Sequence, residues 1–188
     1  MAGPVHRAKA AKRTPQFNTR GRWRRVPGGT RLVRGAEDTG ASRTGILRRP
    51  MVTTLRRDVP TRGQGDAHDI TDLVSSAVAE SACASGLVTV FVVGSTAGVT
   101  TIEFEPGAVA DLNRLFETIA PRHAEYRHHL RWGDDNGSSH VRAALLGPSL
   151  TVPFADHKLL LGTWQQIILL ELDTRPRKRA IVVQIVGE

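Results

Sequence analysis

Four of the seven histidines fall within 18 residues, next to two aspartates and an asparagine. Imidazole transfers protons near neutral pH, and imidazole together with carboxylate is a common set of metal ligands. The alternative is a solvated loop with a simple Asn-Gly turn, and the spacing matches no zinc signature. The density of these groups favours a functional segment. Its members are His123, His128, His129, Asp134, Asp135, Asn136 and His140.

A short loop bounded by Gly94 and Gly98 carries Ser95 and Thr96. Small residues let a ligand approach the backbone, and hydroxyl and N–H groups can hold phosphate oxygens. The loop leads into a strand that is followed by Glu103. A plain turn between two strands is the alternative interpretation.

Trp164 and Gln165 stand next to each other in a predicted strand, so their side chains face opposite sides. One of them can pack in the core while the other lines a pocket or a subunit contact; a core tryptophan beside a strand bend is the alternative. A basic cluster follows, which is either solvated protection of a sheet edge or an anion clamp. This cluster consists of Arg175, Arg177, Lys178 and Arg179.

The net charge of +8 is concentrated at one end of the chain. Residues 1–50 hold 13 of the 26 Lys and Arg and two acids, so that segment is +11 and the remainder is −3. The acidic balance of the remainder argues against nucleic-acid binding by the domain itself. The single cysteine, Cys83, fits a reducing compartment, and no apolar run reaches the length of about 18 residues that a membrane span needs. We therefore expect a cytoplasmic protein without a membrane segment.

Residues 1–57 are predicted to form a disordered basic extension ahead of one domain at 58–188. The first fifty residues are rich in Arg, Gly, Pro, Ser and Thr, and their few large apolar residues follow no helix or strand period. Three interpretations remain open. The segment is an arm that contacts nucleic acid, an organelle transit peptide, or the product of a start assigned too early, with the true start at Met51.

Apolar spacing along the domain predicts about three helices and six strands. The late strands have short connections and should pair antiparallel. The predicted fold class is α+β, a single domain with a mainly antiparallel sheet or sandwich that carries helices on one side. The predicted helices lie near 70–85, 107–119 and 141–146, and the predicted strands span 87–93, 99–104, 150–154, 159–161, 165–172 and 180–186.

A series of ordered motifs in this domain is similar to those of the YjbQ-like family. The similarity covers about residues 58–188, and the two C-terminal motifs are its most specific part. The motifs are DITD at 69–72, GSTA at 94–97, TIEFEPG at 101–107, RHH at 127–129, WGDDNG at 132–137, SHVRA at 139–143, LGTWQQI at 161–167 and VQIVGE at 183–188.

The resemblance implies a compact α+β domain that assembles as a homotrimer, with pockets near the subunit boundaries. The family carries the name secondary thiamine-phosphate synthase, for a reaction that joins a pyrimidine diphosphate to a thiazole phosphate and releases pyrophosphate. Many members have a His-Thr-Thr-Ala loop and a following Asn-Glu pair. In this chain Gly94 replaces that histidine and Ile102 replaces that asparagine, whereas Glu103, Asn136 and His140 are retained.

These residues assemble into a predicted site for a small phosphorylated metabolite. The predicted catalytic residues are His140, His129 and Glu103. The predicted substrate-binding residues are Ser95, Thr96, His128, Asn136, Trp164 and Gln165. A divalent metal, Mg²⁺ or Zn²⁺, is expected on Asp135 and Glu103. The alternatives are a trimer that binds such a metabolite without catalysis, and a metal-dependent enzyme with another substrate.

Overall fold

The computed structural model describes residues 51–188, so the predictions for residues 1–50 lie outside the described residues. The described part contains eight strands and four helices. The strands are β1 (Met51–Thr61), β2 (Ala67–Asp69), β3 (Gly86–Val92), β4 (Ala97–Ile102), β5 (Ser149–Ala155), β6 (Lys158–Leu159), β7 (Gln166–Glu171) and β8 (Arg177–Gly187). The helices are α1 (Thr71–Glu80), α2 (Pro106–Ile119), α3 (Arg127–Trp132) and α4 (Gly137–Leu146).

The strands form two antiparallel sheets. The larger has the order β1-β8-β3-β5-β6, and the smaller has the order β2-β7-β4. Valine and isoleucine side chains of both sheets, together with one face of α1, form the main core. Two facing sheets with helices are an α+β architecture, which confirms the predicted fold class.

The central strand of the smaller sheet, β7, contains the apolar run at residues 167–170. Ile167 and Leu169 face the core between the sheets. Leu170 and the following Leu172 face the other way and pack against Phe116 of α2 and Ala143 of α4. Because both faces of β7 are covered, the strand reads as a continuous apolar run without polar alternation.

Helix α4 lies directly on β4, and a glycine permits this close approach. A Cβ atom at Gly98 would lie 2.6 Å from Cδ2 of Leu146 and 2.8 Å from the carbonyl oxygen of Gly147. The N–H of Val99 donates to that same carbonyl oxygen, which fixes the end of α4 against the sheet. Glycine at position 98 is therefore explained by the close packing of α4 on β4.

The folded domain starts earlier than the sequence indicated. The predicted boundary at residue 58 was wrong, because residues 51–57 belong to β1 and pair in register with β8, from Met51 opposite Gly187 onward. Many side chains of this edge strand are polar and only partly buried, so the strand contains no apolar run that predicts it. Helix α3 was also missed, since its six residues bury no side chain. No helix among residues 51–188 is long and apolar enough to cross a membrane.

A charged network is buried where the smaller sheet meets β8. Glu171 is fully buried and accepts hydrogen bonds from the guanidinium of Arg179, from the hydroxyl of Thr61 and from the backbone N–H of Asp173. Arg179 also donates to the hydroxyl and the carbonyl oxygen of Thr96. Two members of the predicted basic cluster therefore have structural partners, since Arg179 pairs with Glu171 and Arg177 pairs with Asp173.

Candidate functional site

The histidines of α3 and α4 come together with an aspartate of the intervening loop. The rings of His128 and His140 stack with their centroids 4.5 Å apart. Nδ1 of His128 lies 3.1 Å from Oδ1 of Asp134, although the two atoms are not aligned for a hydrogen bond. The tertiary structure thus brings two predicted site histidines into contact and places a carboxylate beside one of them.

His129 has a structural role that the sequence did not reveal. Its Nε2 accepts a hydrogen bond of 3.1 Å from the backbone N–H of Gly137, the first residue of α4. An accepting Nε2 requires the neutral ring with its proton on Nδ1. The predicted proton donation by His129 therefore cannot come from Nε2 in this arrangement. Gly137 permits the contact, because a Cβ there would lie 2.5 Å from Cβ of Tyr126.

The start of α4 holds several buried polar atoms that have no hydrogen-bond partner within residues 51–188. Ser138 and Ser139 are fully buried, and both hydroxyls are unpaired. The side-chain oxygen of Asn136, a predicted substrate-binding residue, is also unpaired. Buried polar groups in native proteins normally have a partner, so these three side chains are suited to bind a water molecule, a ligand or a neighbouring chain.

Three adjoining cavities meet at Arg122, the residue that follows the proline ending α2. The largest is about 640 Å³, and it lies between residues 62–67 and the start of α2. The second, about 290 Å³, lies between residues 133–136 and residues 173–177. The third, about 240 Å³, includes His129. Arg122 lines all three, so together they form one groove, which we call the Arg122 groove.

The backbone of Arg122 is fixed, and its side chain is free. Its N–H donates to Oε1 of Glu117, and the buried guanidinium of Arg142 binds the other oxygen of that carboxylate. These contacts hold the pKa of Glu117 below its usual range, the bond from the Arg122 N–H being the largest cause. The Arg122 side chain is exposed and forms no ion pair with residues 51–188. A free guanidinium on a fixed backbone is suited to binding a phosphate group.

Several predicted residues reach the Arg122 groove, and the tertiary structure supplies others. Asp135 lines the second and third cavities, Asn136 lines the second, and His129 lines the third. Arg175 joins them in the second cavity and, of the predicted basic cluster, is the member without an ion pair inside residues 51–188. The second cavity therefore contains two arginines without an ion pair inside residues 51–188, Arg122 and Arg175, beside the predicted residues Asp135 and Asn136.

The Ser95-Thr96 loop does not offer both of its hydroxyls to a ligand. Thr96 is 5% exposed, donates 3.0 Å to Oδ2 of Asp173 and accepts 2.8 Å from Arg179. Its hydroxyl is thus occupied within the fold, whereas Ser95 is exposed. Burial alone would raise the pKa of Asp173, but the hydrogen bonds from Arg177 and Thr96 outweigh it and lower the pKa.

The other predicted residues lie at the opposite end of β4. Ala97 pairs with Glu171 and Ile102 pairs with Gln166, so Glu103 and Gln165 are close neighbours there. The rise per residue of a strand places Glu103 roughly 20 Å from Thr96. Trp164 is 70% exposed, so the predicted alternative of a core tryptophan is wrong for this chain. Strand β4 therefore separates Thr96 from Glu103 and Gln165 within one chain.

The predicted metal site does not form within the described chain. Glu103 lines none of the three cavities, whereas Asp135 lines two of them. Within residues 51–188, no group of three or more His, Cys, Asp or Glu side chains is arranged to hold a metal ion. The expected Mg²⁺ or Zn²⁺ therefore stays a prediction, and Asp135 is the predicted metal ligand that lines the groove.

Sequence inspection missed Arg122, although it is the residue that the three cavities share. It follows Pro121 in a polar stretch, where an isolated arginine has no distinguishing spacing. The histidine-rich segment was recognisable because it is local. The groove instead joins residues near 64, 105, 122 and 174, which are adjacent only in the folded chain.

The chain is similar to two archaeal proteins that carry the same family name. The chain is 39% identical over 120 residues to a UPF0047 protein of Methanothermobacter thermautotrophicus, covering 64% of this chain and 82% of the relative. It is 32% identical over 135 residues to UPF0047 protein MJ1081 of Methanocaldococcus jannaschii, covering 71% and 94%.

Solved structures share the fold as well. A YbjQ-like protein of unknown function from Sulfolobus solfataricus superposes with a TM-score of 0.71 at 34% identity, covering 74% of this chain and all of that one. A hypothetical protein from Aeropyrum pernix gives a TM-score of 0.66 at 28% identity, covering 72% and 99%. Residues 56–188 match the family described as UPF0047 protein YjbQ-like, and the chain therefore belongs to this family.

Proposed function

We propose that the Arg122 groove binds two phosphorylated metabolites and that the chain has thiamine-phosphate synthase activity. The reaction would join a pyrimidine diphosphate to a thiazole phosphate, as the resemblance to the YjbQ-like family implies. The observation that carries the proposal is that Arg122 lines three adjoining cavities without an internal ion-pair partner in the described chain. Adjoining cavities with a shared cation suit two anionic substrates that must meet.

The chemistry requires charge stabilisation more than acid–base work. The bond between the pyrimidine methylene carbon and the diphosphate oxygen breaks, and pyrophosphate leaves with the electron pair. The ring nitrogen of the thiazole then donates its pair to the methylene carbon, which forms the new C–N bond. Arg122 and Arg175 line the same cavity and would stabilise the charge that develops on the pyrophosphate.

The histidines have narrower proposed roles than the sequence suggested. His140 is retained as a proposed catalytic residue, with His128 and Asp134 setting the orientation of its ring. Asn136 is retained as a proposed substrate contact because it lines the groove, and Asp135, predicted as a metal ligand, lines it as well. Glu103, Trp164 and Gln165 would act only at a groove completed by another copy of the chain. No step is assigned to a metal ion.

Turnover by the purified full chain tests this proposal directly. Both precursors are supplied with several divalent metals, and thiamine phosphate and pyrophosphate are measured as they form. We expect both products in equal amounts, and a slow rate would still support the proposal. Absence of thiamine phosphate under every condition contradicts it.

A second candidate is a binding protein that uses the same groove without catalysis. It is favoured by the engagement of His129 and Thr96 in the fold, since each has its side chain occupied by a structural hydrogen bond. This candidate predicts saturable binding of the phosphorylated precursors without product. The turnover measurement therefore separates the two candidates.

We also propose that the chain assembles as a homotrimer through the outer face of the larger sheet. Leu87 and Phe91 are exposed on β3, and Val186 lies opposite Leu87 on β8. Cross-strand partners point to the same side, so these apolar side chains share one face with Thr89 and Gln184, which lie opposite each other between Leu87 and Phe91. Exposed apolar side chains grouped on one face mark contact sites between chains.

Light scattering on the native protein measures its assembly. We expect three chain masses for the parent, and a lower mass for the double variant Leu87→Glu with Phe91→Glu. Ile119→Glu on α2 is the matched control, because Ile119 and Leu87 are both 52% exposed. A trimer that survives the double variant, or dissociates equally in the control, rules out this face as the contact.

A further inference from the structure

The largest cavity of the groove has a rigid, preformed wall that no predicted residue lines. Residues 62–67 form a tight loop in which Gly63 and Gly65 have φ values of +132° and +85°. The N–H of Gly65 donates 2.8 Å to the carbonyl oxygen of Glu171, and Nδ2 of Asn113 donates 3.1 Å to the carbonyl oxygen of Gly65. Ligand cavities of this size are usually preformed in this way, since a fixed wall lowers the entropic cost of binding.

The carboxylates at this cavity are already neutralised by protein groups. Burial raises the pKa of Asp66, but hydrogen bonds from the side chain and backbone of Arg62 and from His68 outweigh it and lower the pKa to about 2. Both carboxylate oxygens of Glu105 accept backbone N–H groups at the start of α2. Neither carboxylate is therefore free to bind a cationic ligand.

An amide donor also lies at this cavity. Gln64 lines it, and the Nε2 atom of Gln64 is buried and has no hydrogen-bond partner among residues 51–188. A buried amide donor of this kind is costly unless a partner arrives. We infer that the Gln64 side chain turns this amide toward an acceptor on a ligand in the cavity.

The opposite wall is apolar and well placed for a flat ring. Phe104 is 42% exposed and lines the cavity with Pro106 and Val109. The backbone N–H of Phe104 donates 2.9 Å to Oε1 of Gln166, which holds the residue in place. Aromatic side chains that are exposed at a cavity wall bind planar rings by stacking. Arg122 stands at the same cavity and supplies a positive charge.

We propose that this cavity is the subsite for a planar heteroaromatic ring that carries a phosphate group. The ring lies against Phe104 and Val109, an acceptor atom on its edge receives the Gln64 amide, and the phosphate reaches Arg122. The inference rests on the proposed function in one respect: the ring that binds here is taken to be part of a substrate. The binding itself requires no turnover.

Calorimetric titration of the full chain with three probes tests the subsite. Cytidine 5′-monophosphate carries a pyrimidine ring, ribose 5-phosphate lacks the ring, and inorganic phosphate lacks both ring and sugar. We expect the nucleotide to bind at least about tenfold more tightly than ribose 5-phosphate, because stacking and one amide bond are added. Equal affinities for the three probes overturn the proposal.

Matched variants locate the ring preference. Val109→Trp fills the cavity and should abolish the difference between nucleotide and ribose 5-phosphate, whereas Leu115→Trp on the exposed part of α2 should preserve it. Gln64→Leu removes the amide with little change in volume and should reduce the preference several-fold. If Val109→Trp unfolds the chain, the test rests on Gln64→Leu. A Gln64→Leu variant that keeps the full preference for the nucleotide over ribose 5-phosphate contradicts the proposal.

The two proposals fail in different ways. Ring-dependent binding without thiamine phosphate would preserve the subsite and remove the synthase activity. If the chain forms thiamine phosphate, if ring-dependent binding is absent, and if Val109→Trp does not change the turnover, the synthase activity stands and the subsite is contradicted.

Discussion

Replacing Arg122 with alanine is expected to lower kcat/KM for thiamine-phosphate formation by about 100-fold and to weaken pyrophosphate binding. Loss of one preorganised donor to a developing anion costs an enzyme about 10²–10³ in rate. Arg122 is the cation shared by all three cavities, and no partner within residues 51–188 competes for its guanidinium. Initial-rate kinetics and calorimetric titration with pyrophosphate measure the two effects.

Two further variants separate charge from geometry at this position. Arg122→Lys keeps the charge but loses the two-pronged guanidinium contact, so it should recover only part of the activity. Arg114→Ala is the matched control, because Arg114 is an exposed arginine of α2 that pairs with Asp111 and lines none of the three cavities. Pyrophosphate affinity equal to that of the parent in Arg122→Ala would remove Arg122 from the proposed site.

Glu171→Gln is expected to destabilise the domain by about 3–5 kcal/mol, a large share of the stability of a single domain. The substitution keeps the shape of the side chain but removes its charge, and it places an amide donor against the guanidinium of Arg179. The Arg179 side chain is 7% exposed, so its charge would remain buried with only Asp173, at 3.9 Å, as a carboxylate partner. Urea unfolding followed by circular dichroism measures the loss.

An exposed ion pair provides the comparison for this buried one. Glu80→Gln removes the partner of Arg57 at the surface and should cost less than about 1 kcal/mol, since solvent screens that pair. The double variant Glu171→Met with Arg179→Met should be more stable than Glu171→Gln alone, because no unpaired charge stays buried. A loss in Glu171→Gln as small as that in Glu80→Gln would show that this network does not stabilise the fold.

Apolar spacing located the strands that are buried on one or both faces and the three longer helices. It predicted β3, β4, β5, β7, β8 and α2 within a few residues, because their side chains repeat with the period of the element. It failed for β1, β2 and α3, whose exposed and half-exposed polar residues carry no such repeat. Edge strands and short surface helices are held by pairing with distant segments, as Met51 opposite Gly187 shows.

The candidate site was predictable only where it is local in sequence. The segment from His128 to His140 stood out by its composition, and the structure brings His128, Asp134 and His140 together. The grouping of these histidines with Glu103 stays a prediction. The order of β4, with Ala97 at one end and Ile102 at the other, separates Thr96 from Glu103.

The amino-acid sequence by itself determined the fold class and the family, because apolar periodicity and ordered motifs are properties of neighbouring residues. Only the tertiary structure decided which polar groups are free to bind a ligand. The side chains of Thr96 and Arg179 are hydrogen-bonded within a buried network. Arg122 and Gln64 line a cavity, and their side chains can bind a ligand there. The physical reason is that hydrogen-bond partners and cavity walls come from segments distant in the chain, and their meeting depends on strand order and helix packing.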